Sequence, residues 1–393
     1  MKKLLILGAG IYQVPLIQTA NRMGIHTIVC SRAGNYPGFD LADETAKVDT
    51  TDTAACLQLA KDAKIDGVIT AGTDVALPSL GLICDTLGLP GPSAMAAHLS
   101  SNKKDMKEAF HAFGVRSARY QIVHNLDGCL SAAKTLSFPL ILKVVDSSGS
   151  RGIVVVRTEE DIRAQFNSLW ANTHQDYVLI EEFIEGEEFG AQALVTDGRV
   201  RFVMPHEDYV YQAKTGVPIG HAVPCSLSAQ AKAETQRMVE GAVRALRINN
   251  AAVNVDLIRR DDKVYVLEVG ARSGATGLSE LVSQYYGVDY YECLIRMALG
   301  ESLDDVRFLP SGAAAVRLLY TKQGGVLQSF NKDIAHPSLV SWSLDYAIGE
   351  KLPAFTTGPD RIGQIVVKTD SAEQLQPALS DIIQQIDLKI KHV

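Results

Sequence analysis

Two carboxylates, Asp256 and Glu268, stand twelve residues apart on two strand-like segments, Val253–Arg259 and Val264–Val269, which are joined by a short turn. An antiparallel hairpin with such a turn brings the two acids side by side on one face. Two hard oxygen ligands held close together suit Mg²⁺, which can bridge nucleotide phosphates. The pair therefore predicts a magnesium site, in which Mn²⁺ is a candidate substitute.

A second pattern with chemical meaning is the segment 143–152, in which a strand-like run ends at Lys143 and a loop of small residues follows. Small residues such as Ser148 and Gly149 let backbone N–H groups wrap closely around an anion. Lys143 would supply a point charge to nucleotide phosphates, and Arg151 a second cation. The segment therefore predicts a phosphate-binding loop, and an exposed β-hairpin loop is the alternative interpretation.

A third pattern, Gly8-Ala9-Gly10, lies between a strand and a helix, where backbone N–H groups can face a phosphate. The dinucleotide fingerprint GxGxxG requires a third glycine, but Gln13 stands at that position. Arg32, at the end of the second strand, could contact a 2′-phosphate, so an NADP-dependent oxidoreductase is one alternative. A tight turn that binds no nucleotide is the favoured interpretation.

The elements that would position these residues alternate between strand and helix from residue 1 to about residue 92, which predicts a parallel sheet covered on both faces. With 38 Lys plus Arg against 45 Asp plus Glu, the net charge of −7 argues against a non-specific nucleic-acid binder. No apolar stretch approaches the roughly 18 residues of a membrane helix. The six cysteines lack zinc-ligand spacing and indicate a reducing cytoplasm.

The loop at Lys143 and the Asp256–Glu268 pair, taken in their order along the chain, resemble the ATP-grasp superfamily, in which ATP lies between two α+β lobes. Lys103, at the start of a helix that ends at Gly114, resembles the lysine of that family that reaches the nucleotide phosphates. The acidic segment 178–188 resembles the adenine-binding linker. The resemblance implies adenine contacts from Glu181 and from the backbone of Glu182 and Ile184, and ribose contacts from Glu188.

The resemblance also implies residues for the reacting groups. Arg272, four residues after Glu268, is similar to the arginine that contacts the acyl phosphate or the substrate carboxylate in this family. Where the family commonly has Glu-x-Asn-x-Arg, this chain has Gly270, so a second Mg²⁺ would need another ligand, such as Asn254 or a water, and whether one binds is left open. His221 resembles a histidine near the phosphate or the incoming substrate, and a neutral loop histidine is the alternative interpretation.

Two further residues are candidates for substrate binding. Asp74 follows a strand at a position where the family places an acid facing the cleft, and an acid there would suit an α-ammonium group. A helix N-cap is the alternative interpretation of Asp74. Arg317 lies on a strand of a C-terminal region that resembles the small domain closing the cleft in L-amino-acid ligases.

The resemblance predicts an α/β and α+β fold with three parts. Residues 1–92 form an open parallel α/β sheet that precedes the ATP-grasp domain. Residues 93–310 form the two-lobed ATP-grasp domain, whose glycine-rich lid loop belongs to a lid lobe at about 117–188. Residues 311–393 form a small C-terminal α+β domain, and the branch resembled is that of biotin carboxylase and carbamoyl-phosphate synthetase.

The predicted activity is that of a cytoplasmic, ADP-forming carboxylate–amine ligase, closest in pattern to the L-amino-acid ligases. ATP and Mg²⁺ are its expected cofactors, and amino acids or similar small acids, with an amine, its substrates. No nucleic acid or membrane partner is expected. Relatives of this architecture are often dimers, so a homodimer is a candidate assembly, but the sequence does not fix the oligomeric state. The alternatives are a carboxylase that phosphorylates bicarbonate and a non-catalytic nucleotide-binding regulator.

Overall fold

A computed structural model describes residues 1–145, 152–212 and 216–392. The predicted phosphate-loop residues Ser148, Gly149 and Arg151 lie outside these described residues. Lys143, which leads into that loop, lies within them and ends a strand.

Strands and helices are numbered here in chain order. The strands are β1 Lys3–Leu7, β2 His26–Ser31, β3 Glu44–Lys47, β4 Gly67–Ile69, β5 Tyr120–Val123, β6 Leu140–Lys143, β7 Ile153–Val156, β8 Val178–Glu182, β9 Glu187–Thr196, β10 Arg199–Gln212, β11 Gly216–Val223, β12 Ala251–Arg260, β13 Lys263–Gly270, β14 Ala313–Leu319, β15 Gly325–Ser329, β16 Leu339–Leu344, β17 Lys351–Leu352, β18 Gly363–Thr369 and β19 Lys389–Lys391. The α-helices are α1 Val14–Arg22, α2 Thr53–Ala63, α3 Leu77–Leu87, α4 Ala94–Leu99, α5 Lys103–Ala112, α6 Leu126–Leu136, α7 Glu159–Trp170, α8 Ala229–Ala245, α9 Leu278–Tyr286, α10 Tyr290–Ala298 and α11 Leu375–Ile386.

The N-terminal sheet is parallel and has the strand order β3-β2-β1-β4. Its central strand β1 is a nearly continuous apolar run, as expected for a strand covered on both faces. The two faces of β1 enter two separate cores, and both cores also contain residues from β9 and β12. The N-terminal sheet is therefore packed firmly against the sheet that carries the predicted metal ligands.

The second sheet is small and antiparallel, with the order β5-β8-β6-β7, and helices α6 and α7 pack on it around a core of their own. Helix α7 begins with a capping box in which Thr158 and Asp161 bond each other's backbone. This unit holds Lys143 at the end of β6 and Glu181 near the end of β8. It corresponds in position to the predicted lid lobe.

The largest sheet has eight strands in the order β13-β12-β9-β10-β11-β14-β18-β16. It continues without a break from the middle of the chain into strands of the C-terminal region, where β15, β17 and β19 form another small sheet. The predicted α/β and α+β architecture is confirmed. The domain bounds near residues 92 and 310 stay predictions, and the shared sheet shows that the second bound does not separate two independent cores.

Candidate active site

The two acids of the β12–β13 hairpin lie directly opposite each other: Asp256 pairs with Glu268 in the strand register. The ammonium of Lys103, at the first turn of α5, lies 3.5 Å from Glu268. Asp256 is exposed to the cleft, but the protein surrounding it, and then the negative charge of Glu268, raise its pKa to about 7. Two adjacent carboxylates whose negative charges repel each other form a suitable site for a divalent cation.

The orientation of Asp256 is fixed by a chain of side-chain amides on the same sheet face. Gln192 donates to Asn254 at 2.6 Å, and Asn254 donates to Asp256 at 3.2 Å. Gln192 also accepts a hydrogen bond from the backbone N–H of Gly274, in the loop after β13. Asn254, considered from the sequence as a ligand for a second Mg²⁺, thus uses its amide to hold Asp256 in place.

A buried cluster of one acid and two lysines connects the two sides of the cleft. Glu181 on β8 is 1% exposed and lies 3.0 Å from Lys143 and 3.3 Å from Lys107. Burial would raise the pKa of Glu181, but the charges of Lys143 and Lys107 outweigh it and hold that pKa below its ordinary value. The cluster carries a net positive charge beside the proposed nucleotide site.

Sequence reasoning missed Lys107, which is 3% exposed. The available signal was its position four residues after Lys103, on the same side of α5. One oxygen of Glu181, Oε1, is buried and has no hydrogen-bond partner among the described residues. A buried unpaired acceptor is costly, and the amino group of adenine is a donor of the kind that would satisfy it.

The linker after β8 has an apolar wall and an exposed acid. Ile184 is buried and forms a small cluster with Ala118 and Ile258, while Glu188 at the start of β9 is exposed and pairs with Ile258 in the register. The N–H of Glu182 donates to the Arg119 carbonyl, so among its backbone groups only the carbonyl is a candidate for adenine. The roles of Glu182, Ile184 and Glu188 in nucleotide binding stay predictions.

Arg272 and Asp74 form a two-point ion pair, although they are 198 positions apart in the chain. Nε of Arg272 donates to Asp74 at 2.8 Å, and the Nη2 atom donates to its other oxygen at 2.5 Å. A parallel bridge between Ala71 and Ser273 joins the end of β4 to the loop after β13 and brings the two residues together. Asp74 does not cap helix α3, whose N-cap residue is Ala76.

This ion pair explains why glycine stands at position 270. A Cβ atom at Gly270 would lie 2.7 Å from Oδ1 of Asp74, closer than real Cβ contacts. The asparagine that is common in the family would therefore collide with the Asp74 carboxylate. The carboxylate of Asp74 thus requires that position 270 has no side chain.

We expect Gly270→Ala to destabilise the protein by about 1–3 kcal/mol, because the added methyl group overpacks the site. In an Asp74→Ala background the same change should cost much less, since the colliding carboxylate is gone. A double-mutant cycle in urea measures this coupling, which for contacting residues is about 0.5–3 kcal/mol. Additive effects of the two substitutions would contradict the proposed collision.

His221 lies on β11 within a buried group of three polar side chains. Its Nδ1 is 2.5 Å from Oδ1 of Asp208, and Nδ1 of His206 is 2.9 Å from the same oxygen. Burial would raise the pKa of Asp208, but the two imidazoles hold it well below its ordinary value. For His221 the effect of burial is dominant: burial disfavours the charged imidazolium and lowers the pKa of His221, even though Asp208 lies nearby. His206 and Asp208 were not identified from the sequence, because nothing in the local pattern marks their pairing with β11.

Arg317 is placed differently from the other predicted site residues. It pairs with Gly220 in the register, whereas its neighbour Val316 pairs with His221, so Arg317 projects from the opposite sheet face. Its guanidinium lies 4.3 Å from the ring centre of Tyr209, and its Nε is buried without a partner among the described residues. The structure does not bring Arg317 to Asp256 and Glu268, and its substrate role stays a prediction.

The first glycine turn is filled by the side chain of Gln13, the N-cap residue of α1. Gln13, 4% exposed, accepts a hydrogen bond from the N–H of Gly10 at 2.8 Å and donates to the carbonyl of Ala71. A Cβ at Gly8 would lie 2.9 Å from this side chain. The amide therefore occupies the space over the turn where a dinucleotide phosphate would lie, in agreement with a turn that binds no nucleotide.

The chain matches the family model described as the ATP-grasp domain over residues 126–276. The chain belongs to the ATP-grasp superfamily and is an ADP-forming carboxylate–amine ligase of that superfamily. No helix in the described parts of the chain is long and apolar enough to cross a membrane.

Among solved structures, the chain is similar to the phosphoribosylglycinamide synthetase from Anaerococcus prevotii, with 36% identity and a TM-score of 0.88 over 99% of this chain and 100% of that one. It is also similar to the formate-dependent phosphoribosylglycinamide formyltransferase of Wolinella succinogenes, with 27% identity over 80% of this chain and 81% of the relative. The L-amino acid ligase from Bacillus licheniformis shares the fold, with 20% identity and a TM-score of 0.81 over 100% of this chain and 99% of that one.

Proposed function

We propose that this ligase activates a small carboxylic acid, an amino acid or a similar acid, as an acyl phosphate and joins it to an amine. The observation that carries the proposal is the Asp74–Arg272 ion pair, which lies in the same cleft as Asp256 and Glu268. The relatives support the reaction class. One is named for making phosphoribosylglycinamide, an amide of glycine, and another for using formate.

The reaction has two steps, phosphoryl transfer to the acid and then attack by the amine. A carboxylate oxygen of the acid attacks the γ-phosphorus of ATP, the bond to the β-phosphate oxygen breaks, and ADP leaves. The amine nitrogen then attacks the carbonyl carbon, phosphate leaves, and the nitrogen loses a proton. Phosphoryl transfer requires mainly positioning and neutralisation of charge, so the protein needs no nucleophile of its own.

The positive charge around the phosphates comes from several elements of the chain. Lys143 and Lys107 are held by Glu181, and Lys103 by Glu268, so each ammonium group has a fixed position. Asp256 and Glu268 would hold Mg²⁺, which supplies charge neutralisation of the phosphate oxygens. Asn254 keeps Asp256 oriented through its hydrogen bond, which limits the rearrangement needed on binding.

The ion pair of Asp74 and Arg272 is complementary to a zwitterion. An α-amino acid carries a carboxylate and an ammonium group on one carbon, and Arg272 and Asp74 offer the matching charges side by side. When the substrate enters, its carboxylate takes the place of Asp74 beside Arg272, and its ammonium group binds Asp74. A planar guanidinium suits this exchange, because it binds carboxylates through two parallel hydrogen bonds.

The test is phosphate release from ATP and Mg²⁺ with a panel of acids that includes the twenty amino acids, formate and bicarbonate, each with and without an amine such as a second amino acid. Release that requires an amino acid or formate supports the proposal, and mass spectrometry of the product identifies the amide. Release that depends on bicarbonate alone would overturn it in favour of the carboxylase.

The Asp74→Asn variant distinguishes an amino acid from formate as the substrate. If an amino acid is the substrate, the variant loses a charged contact worth about 1.5–3 kcal/mol, and its KM should rise by about 10- to 100-fold. Formate has no ammonium group, so its KM should change much less in the same variant. An equal effect on both acids would show that Asp74 does not bind the ammonium group and acts only on Arg272.

A further inference from the structure

The group formed by His206, Asp208 and His221 has the composition of a transition-metal site. One nitrogen of each imidazole and one carboxylate oxygen of Asp208 lie within 4.8 Å of one another. The side chains come from adjacent strands, because Asp208 and His206 are two residues apart on β10 and His221 pairs directly with Asp208 on β11. Three side chains fixed by a continuous sheet are held rigidly, without dependence on a loop.

We propose that His206, Asp208 and His221 bind a divalent first-row transition metal ion, such as Zn²⁺, Mn²⁺ or Co²⁺, at a site separate from the Asp256–Glu268 pair. Two imidazoles and one carboxylate favour such ions, whereas Mg²⁺ and Ca²⁺ prefer sites made only of oxygen.

The spacing of the ligand atoms supports the proposal. The Nδ1 atoms of His206 and His221 lie 2.9 and 2.5 Å from the same oxygen of Asp208. Neighbouring ligand atoms around an ion with bonds of about 2.1 Å are roughly 3 Å apart. The three side chains therefore need only small rotations to surround an ion, which would replace the shared hydrogen bonds.

The burial of the cluster also favours a bound ion. His206 and His221 are 2% and 4% exposed, and Nε2 of His206 has no hydrogen-bond partner in the described part of the chain. The hydrogen bond to Asp208 places the ring proton on Nδ1 in the absence of metal. The unpartnered Nε2 would carry that proton when Nδ1 binds a metal.

A glycine at position 190 leaves space for the ring of His206 beside the proposed magnesium site. His206 pairs with Gly190, and Gly190 pairs with Asp256, so the three positions form one row across β10, β9 and β12. A Cβ at Gly190 would lie 2.2 Å from the ring of His206. Two strand spacings, about 10 Å along the sheet, separate the backbones of His206 and Asp256, so the two sites are distinct.

The experiment is a titration of the full chain, first treated with a chelator, with Co²⁺ in a large excess of Mg²⁺. The visible d–d absorption of Co²⁺ reports nitrogen ligation, and Mg²⁺ occupies the oxygen-only pair. We expect one equivalent of Co²⁺ to bind. His206→Gln, Asp208→Asn and His221→Gln should each weaken binding by at least about 100-fold, more than the loss of an outer-shell partner typically costs.

Two controls make the result specific. The double variant Asp256→Asn plus Glu268→Gln should keep the Co²⁺ site. His98→Gln should also keep it, because His98 forms an exposed pair with Asp105 at 2.6 Å but belongs to no group of three possible ligands among the described residues. If one ligand variant fails to fold in a thermal unfolding scan, the other two decide the question.

Three results would overturn the proposal. They are the absence of Co²⁺ absorption in excess Mg²⁺, binding that survives all three ligand substitutions, and binding that disappears in the Asp256–Glu268 double variant. None of these outcomes depends on the identity of the ligase substrate. Failure of the metal proposal and failure of the proposed function are therefore distinguishable.

Discussion

Replacing Glu268 by glutamine should reduce ATP-dependent phosphate release by about 1000-fold or more. The change keeps the shape of the side chain but removes one of the two charges that face each other on β12 and β13. Charge neutralisation at a metal site lowers a phosphoryl-transfer barrier by several kcal/mol, and each 1.36 kcal/mol of barrier corresponds to a factor of ten in rate. Phosphate release in the presence of substrate acid and amine measures the effect.

The same variant should keep its folding stability, which separates lost chemistry from lost structure. Glu268 is 42% exposed in its ion pair with Lys103, so the pair contributes about 0–1 kcal/mol. The charge of Glu268 also contributes to the raised pKa of Asp256. A carboxyl with a raised pKa binds more protons in the folded state, so stability falls as the pH rises from about 4 to about 7. Glu268→Gln should weaken this pH dependence in the absence of divalent ions.

Glu301→Gln is the matched control, because Glu301 forms an exposed ion pair with Lys2 at 3.1 Å, outside the cleft. This variant should keep wild-type activity and stability. Activity of Glu268→Gln within tenfold of wild type would contradict the assignment of the metal pair. Loss of activity together with a large loss of stability would indicate a structural role for Glu268.

The hairpin of Asp256 and Glu268 could be predicted because it depends only on residues that are close together in the sequence. The strand period of two residues and a short turn are enough to place two acids on one face. The same holds for Lys143 at the end of its strand, which leads directly into the small-residue loop. The overall class of fold followed from the order of such local patterns along the chain.

The contacts that complete the cleft could not be predicted in this way, because they join distant parts of the chain. Arg272 meets Asp74 only because β4 of the N-terminal sheet docks against the loop after β13. Gly270 looked like a lost ligand, and only the position of the Asp74 carboxylate shows why no side chain fits there. Lys107 has a helical spacing from Lys103, but its burial against Glu181 depends on how α5 packs on the small sheet.

The second large effect is expected at Glu181, where glutamine should destabilise the fold by about 3–5 kcal/mol. Glu181 neutralises Lys107 and Lys143, and all three side chains are between 1% and 11% exposed. Removal of the carboxylate leaves two ammonium groups in a buried site without a counter-charge. Urea unfolding of the wild type and the variant, with equal m-values, measures the difference.

Glu182→Gln is the control for this prediction, since it makes the same chemical change at the next position. Glu182 is half-exposed and pairs with the exposed Arg119 at 3.1 Å, so its loss should cost no more than about 1 kcal/mol. A similar loss in both variants would contradict the special role of the buried acid.

The Lys107→Met variant tests whether this cluster affects folding stability through the balance of its charges or through the burial of its side chains. Counting the three groups, Glu181→Gln changes the net charge from +1 to +2, whereas Lys107→Met changes it to zero and leaves Glu181 paired with Lys143 at 3.0 Å. The methionine variant should therefore be clearly more stable than Glu181→Gln, although it removes the more deeply buried lysine. It should also bind ATP more weakly, because the site loses one positive charge near the phosphates. If the two variants were equally unstable, burial of the side chains rather than balance of their charges would be the main contribution of this cluster.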